Sequence, residues 1–320
     1  MTQETNKYII RNWAEYNKAL IQRGSITLWF SEDAIDQWHK VEPSGKKGRP
    51  QLYSDEAILC ALLIRTVYHK PLRALEGFLS SMVLLLKLTI CVPSYTQICR
   101  RAKDLGKALK KLSHCRPKDI VFDSTGLKVY GEGEWKVRQH GVSKRRMWRK
   151  LHIGMDPDSG EIIVAELTTN GVGSGDGEIG EKLLEKVPRG VKRVLGDGAY
   201  DGIDFRRKIE RIGAEPVIPP PRDAIFHGTV DSAVRKRDDA VLEIRGLGAD
   251  DKARQLWKKL KGYHRRSLAE TTMYRIKQLT GSNLRHREWE RQRVEGYIKC
   301  LVVNKMTKLG MPVGEWEYAA

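Results

Sequence analysis

The sequence is short of the residues that stabilise small secreted domains or bind structural zinc. Its 320 residues include only five cysteines, without a Cys-x-x-Cys pair, and its eight histidines form no His-x3-His or mixed Cys/His set. An odd number of widely spaced cysteines is typical of reduced, buried thiols in a cytosolic protein. We therefore expect neither a disulfide scaffold nor a zinc site.

Long apolar runs are also missing. The longest strongly apolar stretch is Met82–Leu86, whereas a transmembrane helix needs about 20 residues. The opening "MTQETNKYII" lacks the basic and then apolar pattern of a signal peptide. No Walker lysine motif or nucleophile elbow is present, and the lone "GDGEIG" is a weak match to a dinucleotide motif. These absences predict a soluble cytoplasmic protein that has no membrane partner.

Acidic residues are scarce relative to basic ones. The chain has 58 Lys and Arg against 40 Asp and Glu, which gives a formal charge of +18, and 40% of its residues are hydrophobic. The hydrophobic fraction suffices for a real core. The charge predicts a polyanionic partner, most simply nucleic acid, although a basic surface that only maintains solubility is the alternative.

The N-terminal part of the chain, residues 1–118, has a helical pattern. Ser54 is a good N-cap for one helix, and Pro71 and Pro93 are suited to open two more. Three short helices of which the last is basic resemble a helix-turn-helix DNA reader. Trihelical packing with a basic solvent face is the alternative. The candidate DNA contacts on the third helix are Arg100 and Arg101.

Residues 119–320 change to an α/β pattern. The segments "DIVFDSTGLKVYGEG" and "LHIGMDPDSGEIIVAEL" read as three antiparallel strands with a turn at Asp-Pro-Asp-Ser-Gly. Helix, strand, helix and strand follow in alternation, which predicts a mixed sheet. Residues 222–262 are polar and fit neither period well. We expect this segment to be an insertion in the α/β domain.

Two aspartates follow apolar strand-like runs. Asp123 ends "IVFD" and Asp197 ends "RVLGD". A carboxylate at the exit of a central strand lies at the sheet edge where ligand sites of α/β proteins form. The alternative for either residue alone is an aspartate that caps a turn.

One glutamate, Glu270, lies within the basic stretch "YHRRSLAETTMYRIK". A single α-helix over these residues would place Tyr263, Arg266, Glu270 and Lys277 on one face. The opposite, apolar face would consist of Leu268, Thr272, Ile276 and Leu279. Two alternatives explain the pattern locally: a solvated face with an Arg266–Glu270 i,i+4 pair, or a capping box in which Ser267 begins the helix.

Asp123, Asp197 and Glu270 together suggest a metal-dependent enzyme. Three carboxylates from distant parts of a basic chain would repel one another unless a cation lay between them. Mg²⁺ prefers oxygen ligands, and two such ions promote in-line displacement at a phosphodiester. Arg266 and Lys277 would then clamp the nucleic-acid backbone over the metals.

The spacing Tyr-x2-Arg-x3-Glu-x6-Lys, from Tyr263 to Lys277, resembles the signature of DDE transposases of bacterial insertion sequences. The blocks "VFDSTGLKVYGEGEWKVRQHG", "LGDGAYD" and "NKMTKLGMP" resemble other parts of the same family. The nearest resemblance is to the insertion-sequence family numbered five.

The resemblance implies a fold, an activity and partners. The fold is an RNase H-like mixed-sheet core, and the metal ligands and catalytic groups are Asp123, Asp197 and Glu270, with Mg²⁺ or Mn²⁺ as cofactor. The activity is cleavage of double-stranded DNA at transposon ends followed by joining to target DNA. Tyr263, Arg266 and Lys277 would hold the DNA strand, and the N-terminal helices would recognise terminal inverted repeats. A homodimer on paired ends and a location at the bacterial nucleoid are also implied.

The segment "WKVRQHGVSKRRMWRK" is basic and contains no acidic residue. Next to Asp123, it suits a surface that tracks a DNA strand. Trp148 is a candidate stacking platform for unpaired bases, although packing in a hairpin is the alternative. The candidate phosphate contacts are Lys144, Arg145, Arg146 and Lys150.

Two other functions stay open from the sequence. One is an RNase H-like DNA nuclease that only hydrolyses its substrate. The other is a DNA-binding regulator that lacks catalysis, against which the three carboxylates argue.

Overall fold

The structure, a computed structural model, describes residues 7–39, 51–106, 109, 112–129, 147–169 and 175–317. They form two compact units. The first contains the described residues up to Ala102 together with those from Val302 onward, and the second contains those from Lys103 to Leu301. No helix in these described ranges has both the length and the apolar character required to cross a membrane.

The first unit is mainly helical. Its early helices are α1 (Trp13–Gln22), α2 (Ile26–Trp29) and α3 (Glu32–Asp36), followed by α4 (Asp55–Val67), α5 (Leu72–Leu85) and α6 (Tyr95–Ala102). The helix starts predicted from Ser54, Pro71 and Pro93 are confirmed, and the Ser54 hydroxyl accepts the Ala57 N–H at 3.0 Å. Strand β1 (Lys7–Ile10) pairs antiparallel with β8 (Gly314–Glu317), which the sequence did not predict.

A mixed sheet forms the centre of the second unit, as predicted. Its strands are β2 (Asp119–Val129), β3 (Trp148–Met155), β4 (Ile162–Thr169), β5 (Arg193–Leu195), β6 (Glu215–Val217) and β7 (Asn283–Leu284). The strand order is β4-β3-β2-β5-β6, and β7 pairs with the far end of β2. Strand β3 pairs antiparallel with both β2 and β4. The pairs β2–β5, β5–β6 and β2–β7 are parallel. The central strands consist of continuous apolar runs, because both faces of these strands are covered.

Helices pack on both faces of the sheet. The helices that follow β4 along the chain are α7 (Asp176–Leu184), α8 (Ile203–Arg211), α9 (Ser232–Gly246), α10 (Asp251–Leu260), α11 (Ser267–Thr280) and α12 (Trp289–Lys308). Side chains alternate between faces along a strand, so Phe122 packs on one side with Phe205 of α8, and Val121 packs on the other with Ala269 of α11. The core of this unit therefore has two layers, and the second layer fixes α11 on the sheet.

Most of segment 222–262 forms the helices α9 and α10, although its sequence pattern fits neither the helical nor the strand period well. Helices α9 and α10 lie against each other, with Trp257 packed on Ala240 and Ile244 and its indole N–H donating to Glu243 at 2.6 Å. The pattern was obscured because charged residues occupy buried positions of α9. Arg237 and Asp238 are both buried there.

The five cysteines are free. Cys60 and Cys300 are buried, and in both cases burial raises the thiol pKa to about 12. The prediction of buried thiols is wrong for Cys91, which is exposed, and Cys99 and Cys115 are partly exposed.

Candidate active site

Asp123 lies inside β2 and not at its end, so the predicted strand exit is wrong for this residue. The antiparallel ladder with β3 continues from Val121 as far as Lys128, and Asp123 is paired with Ile153. The parallel ladder with β5 stops earlier, at Val121 opposite Leu195. Asp123 therefore lies just beyond the point where β5 ends, on a strand that its other neighbour still holds. Its side chain is only 10% exposed.

Asp197 follows β5 by two residues and begins a 3-10 turn over Gly198–Tyr200. Its Oδ1 accepts the N–H of Ala199 at 2.9 Å, which is the turn-capping role. Its Oδ2 lies 3.2 Å from Nη2 of Arg266. The two interpretations of this residue are thus compatible, because each carboxylate oxygen has a different partner.

Glu270 lies in the first turn of α11. The chain is neither one helix from Tyr263 nor a Ser267 capping box, since a 3-10 turn over Tyr263–Arg266 precedes the helix and the Ser267 hydroxyl donates to the His264 carbonyl at 2.8 Å. Leu268, predicted for the apolar stripe, is 39% exposed. The buried residues of α11 are Ala269, Thr272, Met273, Ile276 and Thr280.

The guanidinium of Arg266 contacts all three carboxylates. Its Nη2 donates to Asp123 Oδ1 at 3.1 Å and to Asp197 Oδ2 at 3.2 Å, while Nη1 donates to Glu270 Oε1. The predicted Arg266–Glu270 pair is therefore present, but it is one part of a larger cluster. Residues separated by more than 140 positions in sequence meet around one cation, and we call Asp123, Asp197 and Glu270 the acidic triad.

The acidic triad carries more negative charge than Arg266 neutralises. Burial raises the pKa of Asp123, and the nearby charges of Asp197 and Glu270 raise it further, against the opposing effects of Arg266 and the Ser124 amide. Burial also raises the pKa of Tyr263 to about 12. The Lys258 ammonium lies 5.3 Å from the centre of the Tyr263 ring. Three acids and one arginine leave a net charge that favours a further cation.

The donor set fits a hard divalent cation in type and charge. Carboxylate oxygens are the ligands that Mg²⁺ and Mn²⁺ prefer, and all three already contact one cation. In their present positions the oxygens surround the guanidinium. Across the described ranges, no three His, Cys, Asp or Glu side chains are arranged to hold a metal ion.

A second acidic group supports β2 behind Asp123, and the sequence did not reveal it. Asp176 at the start of α7 accepts from Lys150 Nζ at 2.8 Å, and its Oδ1 lies 3.2 Å from Nδ1 of the fully buried His152. Burial alone would raise the pKa of Asp176, but His152, Lys150 and Ser124 hold it well below its usual range. The pairing of β2 with β3 sets His152 opposite Ser124, so both side chains lie next to Asp176.

The predicted strand-tracking segment is described only in part. Lys144, Arg145 and Arg146 lie outside the described residues. Trp148 is 42% exposed and its ring covers Gly126 of β2, where a Cβ would lie 3.4 Å from a ring carbon. Lys150 forms an ion pair with Asp176.

The remaining candidate DNA contacts differ in their surroundings. On α6, Arg100 is exposed, whereas Arg101 donates to the Tyr53 carbonyl at 2.8 Å and to Asp55. Lys277 is half-buried on α11, two helical turns after Glu270 and therefore on the same face. Arg101 is thus engaged within the protein, and Arg100 is available to solvent.

Comparison with known proteins identifies the family. A family described as Transposase DDE domain matches residues 114–305, and a second family with the same description matches residues 21–132. The chain belongs to the transposase DDE-domain family. It is a DNA transposase, an enzyme of the metal-dependent class that cuts DNA.

Individual relatives are distant. An uncharacterised protein of Aquifex aeolicus (strain VF5) is 24% identical over 261 residues, which are 75% of this chain and 72% of that protein. Among solved structures, the cryo-EM structure of a piggyBac transposase synaptic complex with hairpin DNA matches with a TM-score of 0.38 and 11% identity, over 94% of this chain and 76% of that one. Membership of the insertion-sequence family numbered five stays a prediction.

Proposed function

We propose that the acidic triad is the catalytic centre of a transposase that cuts DNA at transposon ends and joins the freed ends to target DNA. The observation that carries the proposal is the contact of Asp123, Asp197 and Glu270 with one guanidinium. One carboxylate is enough to neutralise one guanidinium. Three acids around one arginine leave an excess of carboxylate oxygens that suits divalent cations.

The core that holds the acidic triad is proposed to be RNase H-like. Support comes from the mixed sheet, in which Asp123 lies on the central strand β2 and Asp197 follows the adjacent parallel strand β5. Helix α11 packs its buried face on this sheet through Ala269 and brings Glu270 to the same edge. Three separate elements thus fix the positions of the carboxylates.

Each residue of the triad has a proposed role as a ligand to two Mg²⁺ or Mn²⁺ ions. When bound, the ions supply activation of the attacking oxygen and stabilisation of the leaving oxygen. Asp123 is mostly buried and fixed within a strand, so it orients the site. Glu270 is 60% exposed and faces the incoming substrate. The attacking group is first water and then the freed 3′-hydroxyl, so phosphodiester exchange proceeds without another energy source.

The DNA is proposed to lie along the face that carries the acidic triad. Tyr263 and Arg266, on the 3-10 turn, lie beside the acidic triad. Lys277 lies further along α11 on the face that carries Glu270. Trp148 and Lys150 of β3 are proposed to extend this surface. Lys144, Arg145 and Arg146, which lie outside the described residues, are proposed phosphate contacts. Arg100, which is exposed, is the proposed contact of the first unit with terminal inverted repeats, and Arg101 is proposed to support its helix through Tyr53 and Asp55. A homodimer on two paired ends completes the proposal.

Substitution of one carboxylate by its amide tests the proposal. Glu270→Gln is expected to reduce Mg²⁺-dependent cleavage of DNA carrying the element's ends by at least about 10³-fold while binding is kept, since a metal ligand is lost with little change of shape. The matched control is Glu185→Gln, an exposed glutamate that pairs with Lys208. Cleavage by Glu270→Gln at the wild-type rate would exclude this residue from catalysis.

Joined products separate a transposase centre from one that only hydrolyses. The wild-type protein is expected to convert a supercoiled target plasmid into a product covalently linked to a labelled transposon end. Cut ends without any linked product would favour a nuclease that uses the same triad.

A further inference from the structure

Arg266 occupies the oxygens that the proposed function assigns to metal. Its Nη2 lies 3.1 Å from Asp123 and 3.2 Å from Asp197, and its Nη1 contacts Glu270. Mg²⁺ binds oxygen at about 2.0–2.1 Å and requires near-octahedral geometry. A guanidinium at hydrogen-bond distance from one oxygen of each carboxylate reduces both the space and the electrostatic attraction available to such an ion. Arg266 and a divalent ion therefore compete for this cluster.

Arg266 is also suited to leave the acidic triad. Its side chain is 17% exposed, so one edge reaches solvent. Its Nε is buried and has no hydrogen-bond partner within the described residues, so only the two Nη groups hold the guanidinium in place. The residue lies on a short 3-10 turn and not inside α11. An arginine in this position can exchange carboxylate partners for a phosphate, which it binds in a bidentate manner.

The neighbouring arginine shows the opposite design. Arg265 donates to Asp119 and to Asp158, and Asp119 is buried and also bound by Arg193. Asp119 has a pKa below its usual range because Arg193 and Arg265 outweigh the effect of burial. Two cations thus secure one acid there, away from the triad. Substitution of Arg265 is therefore a matched control: it removes the same charge as substitution of Arg266, but the contacts of Arg266 with the acidic triad remain.

We propose that Arg266 is an internal counter-cation which competes with divalent metal for the acidic triad and moves to a DNA phosphate when DNA binds. The inference rests on the proposed metal-binding role of Asp123, Asp197 and Glu270. Its consequence is reciprocal coupling, because any ligand that draws Arg266 away makes the carboxylates available. DNA and metal then strengthen each other's binding, and metal binds tightly only when substrate is present.

The test measures the affinity for Mn²⁺ by the electron paramagnetic resonance signal of the free ion. Wild type, Arg266→Gln and Arg265→Gln are compared without DNA and with a short mixed-sequence duplex. Without DNA, Arg266→Gln is expected to bind Mn²⁺ about tenfold more tightly than the other two, because a unit charge within a few ångströms is removed. The duplex should tighten Mn²⁺ binding to wild type and to Arg265→Gln by a similar factor, and should have little effect on Arg266→Gln.

Two results would overturn the inference. One is an Mn²⁺ affinity of Arg266→Gln that is equal to or weaker than that of wild type. The other is equal tightening by DNA in wild type and Arg266→Gln. If Arg266→Gln does not fold, Arg266→Lys replaces it; one ammonium cannot bridge all three carboxylates, so Mn²⁺ should bind more tightly than to wild type. An affinity equal to wild type again overturns the inference.

Asp123→Asn separates this inference from the proposed function. Loss of Mn²⁺ binding in that variant supports the metal site whatever Arg266 does. If Asp123→Asn weakens Mn²⁺ binding but Arg266→Gln behaves like Arg265→Gln, the triad stands and the counter-cation role is wrong. If Asp123→Asn leaves Mn²⁺ binding unchanged, both proposals fail.

Discussion

Two clusters of aspartate and arginine in the α/β unit have opposite stoichiometry. Asp201 lies between two arginines, with its Oδ1 2.6 Å from Arg206 Nη2 and its Oδ2 3.0 Å from Arg237 Nε. Arg206 and Arg237 also donate to the carbonyls of Ile218 and Ile225. In the acidic triad, by contrast, three acids share the single guanidinium of Arg266.

The difference separates a structural cluster from the proposed catalytic one. The side chain of Asp201 is 4% exposed and that of Arg206 is 1% exposed, and surrounding carbonyls satisfy the extra donors. This cluster is complete and ties α8 to α9. The acidic triad has surplus negative charge and reaches solvent through Glu270, so it has capacity for another cation. Burial and the sign of the surplus charge together distinguish the two clusters, whereas the presence of Asp and Arg does not.

The largest expected effect tests the acidic triad. Asp197→Asn should reduce Mg²⁺-dependent DNA cleavage by at least about 10³-fold, roughly 4 kcal/mol in activation free energy. The free energy of unfolding should hardly change, since asparagine caps the Ala199 N–H equally well. Cleavage kinetics and urea denaturation measure the two quantities. A stable variant that still cuts would mean that this cluster is structural as well.

The next largest effect tests the cluster of Asp201 with Arg206 and Arg237. Asp201→Asn should lower the free energy of unfolding by about 3 kcal/mol, because removing one partner leaves buried guanidinium charge uncompensated. The rate of cleavage should be close to that of wild type at temperatures where the variant is folded. Urea denaturation and cleavage kinetics again supply the comparison. The distinction breaks down if this variant is stable but inactive.

A third cluster sharpens the comparison through pH. Glu166 of β4, 15% exposed, accepts from Lys186 at 2.7 Å and from Arg293 and Tyr297 at 3.0 Å. Burial acts to raise the pKa of Glu166, but these partners lower it overall. Because the folded pKa is below the unfolded value of about 4.3, the stabilisation is present above that pH and is lost as the pH falls through the folded pKa.

Glu166→Gln should therefore lower the free energy of unfolding by about 1–3 kcal/mol at pH 7. The difference from wild type should shrink as the carboxylate of the wild-type protein is protonated in acid. Denaturation at a series of pH values measures it, with Glu185→Gln as the exposed control that changes nothing measurable. A difference that grows toward low pH would contradict the assigned direction.

The smallest effect concerns neighbouring arginines of α6. Arg100 is exposed, so Arg100→Gln should weaken DNA binding a few-fold and reduce the slope of log affinity against log salt by about 0.9, as expected for one lost phosphate contact. Arg101 is bonded to Tyr53 and Asp55, so Arg101→Gln should mainly lower thermal stability. Salt titrations of binding and thermal unfolding distinguish the two. Equal effects on DNA binding would contradict this distinction between an exposed arginine and one that is bonded within the protein.

Periodicity and turn residues predicted much of the α/β unit. The antiparallel strands, the parallel strand before Asp197 and the helices between them lie where the pattern placed them. Prediction of secondary structure failed where charged side chains are buried, and where a strand pairs with another that is far away in the sequence. Helix α9 buries Arg237 and Asp238, which concealed its period, and β1 pairs with β8 from the other end of the chain.

The sequence by itself determined that Asp123, Asp197 and Glu270 are candidate site residues, because local apolar runs and the Tyr-Arg-Glu-Lys spacing are short-range signals. These local signals placed Asp197 in the site, but they did not show how the surroundings of Asp197 and Asp201, four residues apart in "LGDGAYDG", differ. Only the tertiary structure decided that one carboxylate joins Glu270 around Arg266 while the other is enclosed by two arginines. The physical reason is that charge balance depends on which side chains meet, and strand pairing and helix packing over long sequence distances set those meetings.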